Sequence, residues 1–218
     1  MICARWLNVL GTDDPIKREG FDATLTSLNG IYLAQVAVGA LGVLLITSEY
    51  GTGLIRATLT AVPQRRAVLA AKALVFALAT LIVGEILSFL AFGIGQAILA
   101  HAHAGASLYQ PRAVLGGGLY LTAVGLLGFG LGALIQHTAG ALSAFFGILF
   151  ATSVVVDLLP TSWRNTVIEY MPANAGSQIF TIQRTHDSLS PWAGLGVLFL
   201  YVAAAITAAA LLITRRDA

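Results

Sequence analysis

The sequence predicts an all-α bundle of helices set in a membrane, and three observations carry that prediction. Residues of the AVILMFWYC set make up 57% of the 218-residue chain, while 12 basic and 10 acidic residues are all the charge it has. A soluble domain carries about 25% charge to cover its surface, so this chain lacks the residues for a water-facing exterior. The apolar residues are also gathered into five runs of about 20, the length that crosses a hydrocarbon core of about 30 Å. In hydrocarbon each backbone N–H and C=O must be bonded within its own segment, and runs without polar alternation do that as helices.

Residues 1–28 come first, a charged segment in which residues 1–10 lack both the apolar core and the small-residue cleavage site of a signal peptide. The five spans are expected at residues 29–48, 73–99, 114–135, 139–159 and 193–213, forming a single transmembrane domain over residues 29–218. At 1.5 Å per residue the second is the longest, about 40 Å, so it tilts or emerges from the bilayer. Gln136, His137 and Thr138 alone connect the third and fourth spans, which makes those two antiparallel neighbours. Between the last two spans, residues 160–192 are too apolar for a plain connector. There Trp163, Val167, Ile168 and Met171 recur at helical spacing until Pro172, which predicts a short amphipathic helix that lies at the outer surface or re-enters it, or an interfacial anchor with Trp163 and Tyr170 as aromatic-belt residues.

Basic residues set the orientation. One face carries Arg56, Arg65, Arg66, Lys72, Arg215 and Arg216 within short segments. The other carries Arg5, Lys17, Arg18, Arg112, Arg164 and Arg184, spread over more than twice the length and diluted by six acids. The positive-inside rule therefore places the 49–72 loop in the cytoplasm and residues 1–28 outside.

Within that loop Gly51 and Gly53 flank Thr52, a candidate N-cap, and a short helix is expected over residues 54–62, ended by Pro63. Leu54, Ile55, Leu59 and Val62 share one face of it, while Arg56 and Thr60 point elsewhere. Spacing alone leaves two alternatives. One is an interfacial helix held to lipid headgroups by Arg65, Arg66 and Lys72; the other is a lever fixed at both ends to membrane helices and pushed by a cytoplasmic partner.

The continuous stretch from Thr47 and Ser48 through Glu49, Tyr50, Gly51, Thr52, Gly53, Leu54, Ile55, Arg56, Ala57, Thr58 and Leu59, followed by residues 62–66 and 70–73, resembles the permease subunit of ATP-binding cassette transporters of the type-2 export class, as found in actinobacteria. Residues 136–140, 170–176 and 190–194 resemble the same family, and the likeness runs from about residue 28 to the basic tail. The resemblance implies a multi-pass permease of a bacterial plasma membrane whose partners are a cytoplasmic ATPase subunit and a second permease half. It implies too that Glu49 through Leu59 form the coupling helix seated in the ATPase, with Arg56 as the polar contact, and that external elements cap the translocation path. Permeases of this family have six membrane helices; five are seen here, and residues 1–28 look like the external loop after an absent first helix, as in a shortened gene.

Glu85 falls near the middle of the second span, where a carboxylate must be protonated, paired or hydrated. Ser88 and Gln96 share its helical face, so the stripe is expected to face other helices, either lining a path or making an interhelical hydrogen bond. Asp157 lies close enough to a span end to reach headgroups. Gly128 and Gly132, and the Ala203 to Ala210 run, fit small-residue helix packing. His101 and His103 lack a third ligand nearby, His137 reads as a turn residue, and no metal or other cofactor is expected.

A single cysteine, Cys3, excludes an intrachain disulfide, and a net charge of +2 gives no reason to expect nucleic acid. The sequence contains no Gly-x-x-x-x-Gly-Lys-Ser/Thr phosphate loop, Gly-x-Ser-x-Gly elbow or His-Glu-x-x-His motif, so no activity as an enzyme is expected of the chain itself. The expected function is that of a permease subunit coupling ATP hydrolysis elsewhere to export. The alternative is a non-transporting membrane scaffold or immunity protein that docks a cytoplasmic partner.

Overall fold

The computed structural model describes residues 30–52, 65–101, 111–158, 167–180 and 189–215. Among these, six helices follow one another with no strand: α1 (Ile31–Thr52), α2 (Arg65–His101), α3 (Pro111–Ile135), α4 (Thr138–Leu158), α5 (Pro172–Ser177) and α6 (Pro191–Arg215). A helical turn at residues 167–169 precedes α5. Four helices are long and apolar enough to cross a membrane, at Ile31–Thr52, Arg66–Ala97, Pro111–Ile135 and Pro191–Leu212. The fifth expected span coincides with α4, whose apolar part among the described side chains, Thr138–Phe150, is shorter.

The helices outrun the expected spans, because apolar content marks the stretch in lipid while helical hydrogen bonding continues into the flanks. The first helix runs on through Glu49 to Thr52 rather than ending at residue 48. The second is 37 residues long, about 55 Å, and starts at Arg65 rather than residue 73. As a result the connection between α1 and α2 is shorter than the 49–72 loop read from hydropathy. Thr52 is no N-cap: it closes α1, and its Oγ1 donates to Ser48 O at 2.9 Å. Segments 53–64 and 1–29 lie outside the described residues, so the helix expected at 54–62 and the N-terminal segment do too.

α3 is the axis of the bundle, buried along nearly its whole length and packed on α1, α2, α4 and α6. Its glycines make this possible. Gly42 of α1 faces the backbone of Gly125, and Gly128 of α3 faces the backbone of Gly39, each so closely that a Cβ would overlap a carbonyl oxygen. At Gly132 a Cβ would stand 2.5 Å from Ile46 Cγ2. Removing side chains there lets the two backbones meet, and close packing replaces the hydrophobic driving force that lipid does not supply. Gly128 and Gly132 thus serve the packing expected of them. On the opposite face Gly130 receives Ala205, and Ala205 and Ala209 are buried while Ala203 and Ala204 face outward.

Buried aromatics fill the remaining space: Phe129 stacks on Phe76 at 6.0 Å, and the Phe145 ring lies over Gly39. Threonine hydroxyls in the helices return to their own backbone, Thr47 to Val43 O, Thr80 to Phe76 O and Thr207 to Ala203 O, leaving no donor facing hydrocarbon from those side chains.

Gln136 and His137 alone join α3 to α4. Gln136 takes φ 61°, the left-handed conformation that ends a helix, and its N–H bonds Gly132 O at 2.9 Å. His137 then caps α4, its Nδ1 accepting from Gly140 N at 3.3 Å, so the expected turn residue has a defined part in the turn. Ser190 caps α6 in the same manner, accepting from Ala193 N at 3.4 Å, with Pro191 in the first helical position.

Candidate functional site

Three groups of residues concentrate the polar chemistry of an otherwise apolar bundle. The first lies where α1 and α2 approach their connection. Glu49 accepts an ion-paired hydrogen bond from Lys72, both side chains a quarter exposed. Because the extended α2 includes residues 65–72, Lys72 is held by the protein rather than left free for headgroups. Of the expected coupling residues, Glu49, Tyr50, Gly51 and Thr52 form the last turn of α1, with Gly51 and Thr52 exposed. Gly53, Leu54, Ile55, Arg56 and Leu59 lie outside the described residues.

The second group is the stripe on α2. Ser88 is fully buried and its hydroxyl donates to Val114 O of α3 at 2.6 Å, so the stripe does face a neighbouring helix. Two of three successive glycines of α3 receive it. A Cβ at Gly117 would lie 2.5 Å from Ser88 Oγ, and one at Gly118 would lie 2.5 Å from both Cδ and Oε1 of Glu85. Gly116 holds Ile179 at the same distance. Glu85 is half-buried, yet its Oε2 is enclosed and has no hydrogen-bond partner. Gln96, two turns beyond Ser88, is partly buried.

The third group was not singled out in the sequence. Tyr120 of α3, fully buried, donates its hydroxyl hydrogen bond to Gln35 Oε1 of α1, also buried. Phe180 covers this pair, edge-on to Tyr120 at 5.4 Å and to Tyr32 at 5.9 Å. The available signal was a glutamine and a tyrosine placed inside two apolar spans, where each needs a partner.

Phe180 arrives there through α5, a helix the sequence did not suggest. The helical turn at residues 167–169 stops before Pro172, as expected, and Pro172 begins α5; residues 163–166 of the expected helix lie outside the described residues. Met171 is extended (φ −66°, ψ 138°) and Pro172 takes a first-turn position, where its missing N–H is no loss. Asn174 Nδ2 donates to Ile168 O at 3.2 Å and ties the turn at 167–169 to α5. Residues 172–180 are sunk among α3, α4 and α6, with Gly176 packed on Tyr120 and Leu198, and Gly194 on the backbone of Ala175. Tyr170 is half-exposed, as a belt residue would be. Trp163 lies outside the described residues.

No family model, curated protein or solved structure matches the chain. Its site must therefore be interpreted from its own geometry. Among the described residues no three of His, Cys, Asp and Glu converge as a metal site. What the arrangement offers is a clamped interhelical connection at one end, a packed-down cap toward the other, and an acid level with that cap, since Glu85 meets Gly118 between the Gly116–Ile179 and Tyr120–Phe180 contacts.

Proposed function

We propose that the chain is the membrane permease subunit of an ATP-driven exporter in a bacterial plasma membrane, working with a separate cytoplasmic ATPase and a second permease half. In this reading α4 completes a set of five spans and residues 49–59 are the coupling element. The observation that carries the proposal is the Glu49–Lys72 pair, which ties together two long helices on either side of a short connection. A load applied to such a connection reaches α1 and α2 together, and both pack on the central α3. Force at one end is thereby delivered to the glycine-lined contacts of the core, and from there to the cap around Phe180. The ATPase would drive this by binding the connection differently in its two nucleotide states.

The test is affinity purification of the tagged chain from its own host's membranes, followed by measurement of ATP hydrolysis. Co-purifying activity is expected to fall at least tenfold, about 1.4 kcal/mol of docking free energy, in Arg56→Glu and on deletion of residues 54–59, at equal chain abundance. Hydrolysis retained by both variants contradicts the coupling role. Absence of hydrolysis from the intact chain's preparation favours the scaffold reading.

A further inference from the structure

Glu85 is placed as no structural residue needs to be. It sits near the middle of the 37-residue α2, its Oε2 enclosed without a partner; the N–H groups of the α3 backbone it rests on are used within that helix, and the nearby hydroxyls of Thr122 and Ser88 donate to Gly118 O and Val114 O. The titratable residues of the packed helices supply no cation at that level. On α3, Tyr120 is bonded to Gln35, and Arg112 stands six residues away, about 9 Å along the axis. On α2, Lys72 is 13 residues away, about 20 Å, and is paired with Glu49. Tyr32, Glu49 and Tyr50 of α1 and Tyr201 and Arg215 of α6 add no positive charge at mid-helix. Beside Glu85, Leu78, Ile82, Ile86 and Phe89 present an exposed apolar flank.

A carboxylate at bilayer depth is tolerated when neutralised by a proton or by a cation. We infer that Glu85 is a neutral acid in the free bundle and the binding point for a hydrophobic tertiary amine entering from the bilayer along this flank in its neutral form. On binding, the carboxyl proton passes to the amine nitrogen, the carboxylate pairs with the ammonium so formed, and the alkyl chain lies against Ile82 and Ile86. The inference does not rest on the export reading.

The chain reconstituted in phosphatidylcholine vesicles is treated with dicyclohexylcarbodiimide, which adds a protonated carboxyl across one C=N bond, oxygen to carbon and proton to nitrogen. Labelled peptides are then located by mass spectrometry. Glu85 is expected to be labelled and ion-paired Glu49 spared. Saturating N,N-dimethyldodecylamine, which has no N–H to be acylated by the activated carboxyl, should lower labelling at Glu85 about tenfold, while dodecanol at the same membrane concentration leaves it unchanged. An unlabelled Glu85, labelling indifferent to the amine, or equal protection by the alcohol would each overturn the inference. Wild-type protein carries the whole test, and Glu85→Gln serves to confirm the labelled peptide.

Discussion

Tyr120 and Gln35 show what a single hydrogen bond does where water is absent. Tyr120 fills the gap between α1, α3 and the Phe180 cap, and its hydroxyl would be stranded without Gln35. Tyr120→Phe leaves the Gln35 amide buried and unpaired, and is expected to destabilise the bundle by about 1–3 kcal/mol in reversible unfolding from mixed micelles. The double variant Tyr120→Phe, Gln35→Leu should recover part of that loss, because both polar groups are then gone. A purely steric role for the tyrosine predicts no recovery. Reading this pair from sequence requires knowing which faces of the two helices meet, and a glutamine in one span carries no mark of its partner 85 positions away. Glu85 and Ser88 were legible because a charge in a span is conspicuous by itself. Their shared destination, Gly117 and Gly118 of α3, was not.

Among the elements, glycine decides the geometry of α1 on α3. Gly42→Ala and Gly128→Ala each put a methyl against a backbone carbonyl of the other helix, which cannot rotate aside as a side chain would. Each is expected to separate the helices and cost about 1–3 kcal/mol, measured by the same unfolding assay. Gly147→Ala, where a Cβ meets nothing within 4 Å, should be neutral. Charge reversal tests the other link between elements. Glu49→Lys or Lys72→Glu alone weakens the hold between α1 and α2, and the two together should restore it with a coupling of about 0.5–1 kcal/mol in a double-mutant cycle. Hydropathy located these helices but misplaced their ends, since Glu49 and Lys72 are polar and yet helical. Pro172 was legible as the stop of the helical turn before it, but a proline that ends one helix does not announce that it also starts the next, and α5 was missed.

At the scale of the molecule, one helix is wrapped by the others and the outer helices keep an apolar exterior. Val75 and Ile82 of α2 and Leu200 of α6 are more than 60% exposed, against none of Phe129 or Phe145. A membrane-soluble photoreagent is therefore expected to modify the first three and to spare the last two, as read by mass spectrometry of the reconstituted chain. Modification of Phe129 would mean that α3 is not central. Composition made the bundle legible from the outset, because so few charges leave no other solvent but lipid. Order around the axis was hidden, since the one polar stripe, on α2, says that it faces another helix without saying which; the clue lay in glycine content, which is highest in α3.

The wrapped axis also sets a condition on how the protein is made. α3 is the least hydropathic of the four helices long enough to cross and is lined with bare backbone, yet α6, which closes over Gly130, lies more than 50 residues further along the chain and is synthesised later. Until α6 arrives, that seam is open to lipid or to whatever helix happens to be near. A ribosome stalled before Pro191 would thus release a bundle in which Gly130 is uncovered, a bare stretch of backbone on its central helix.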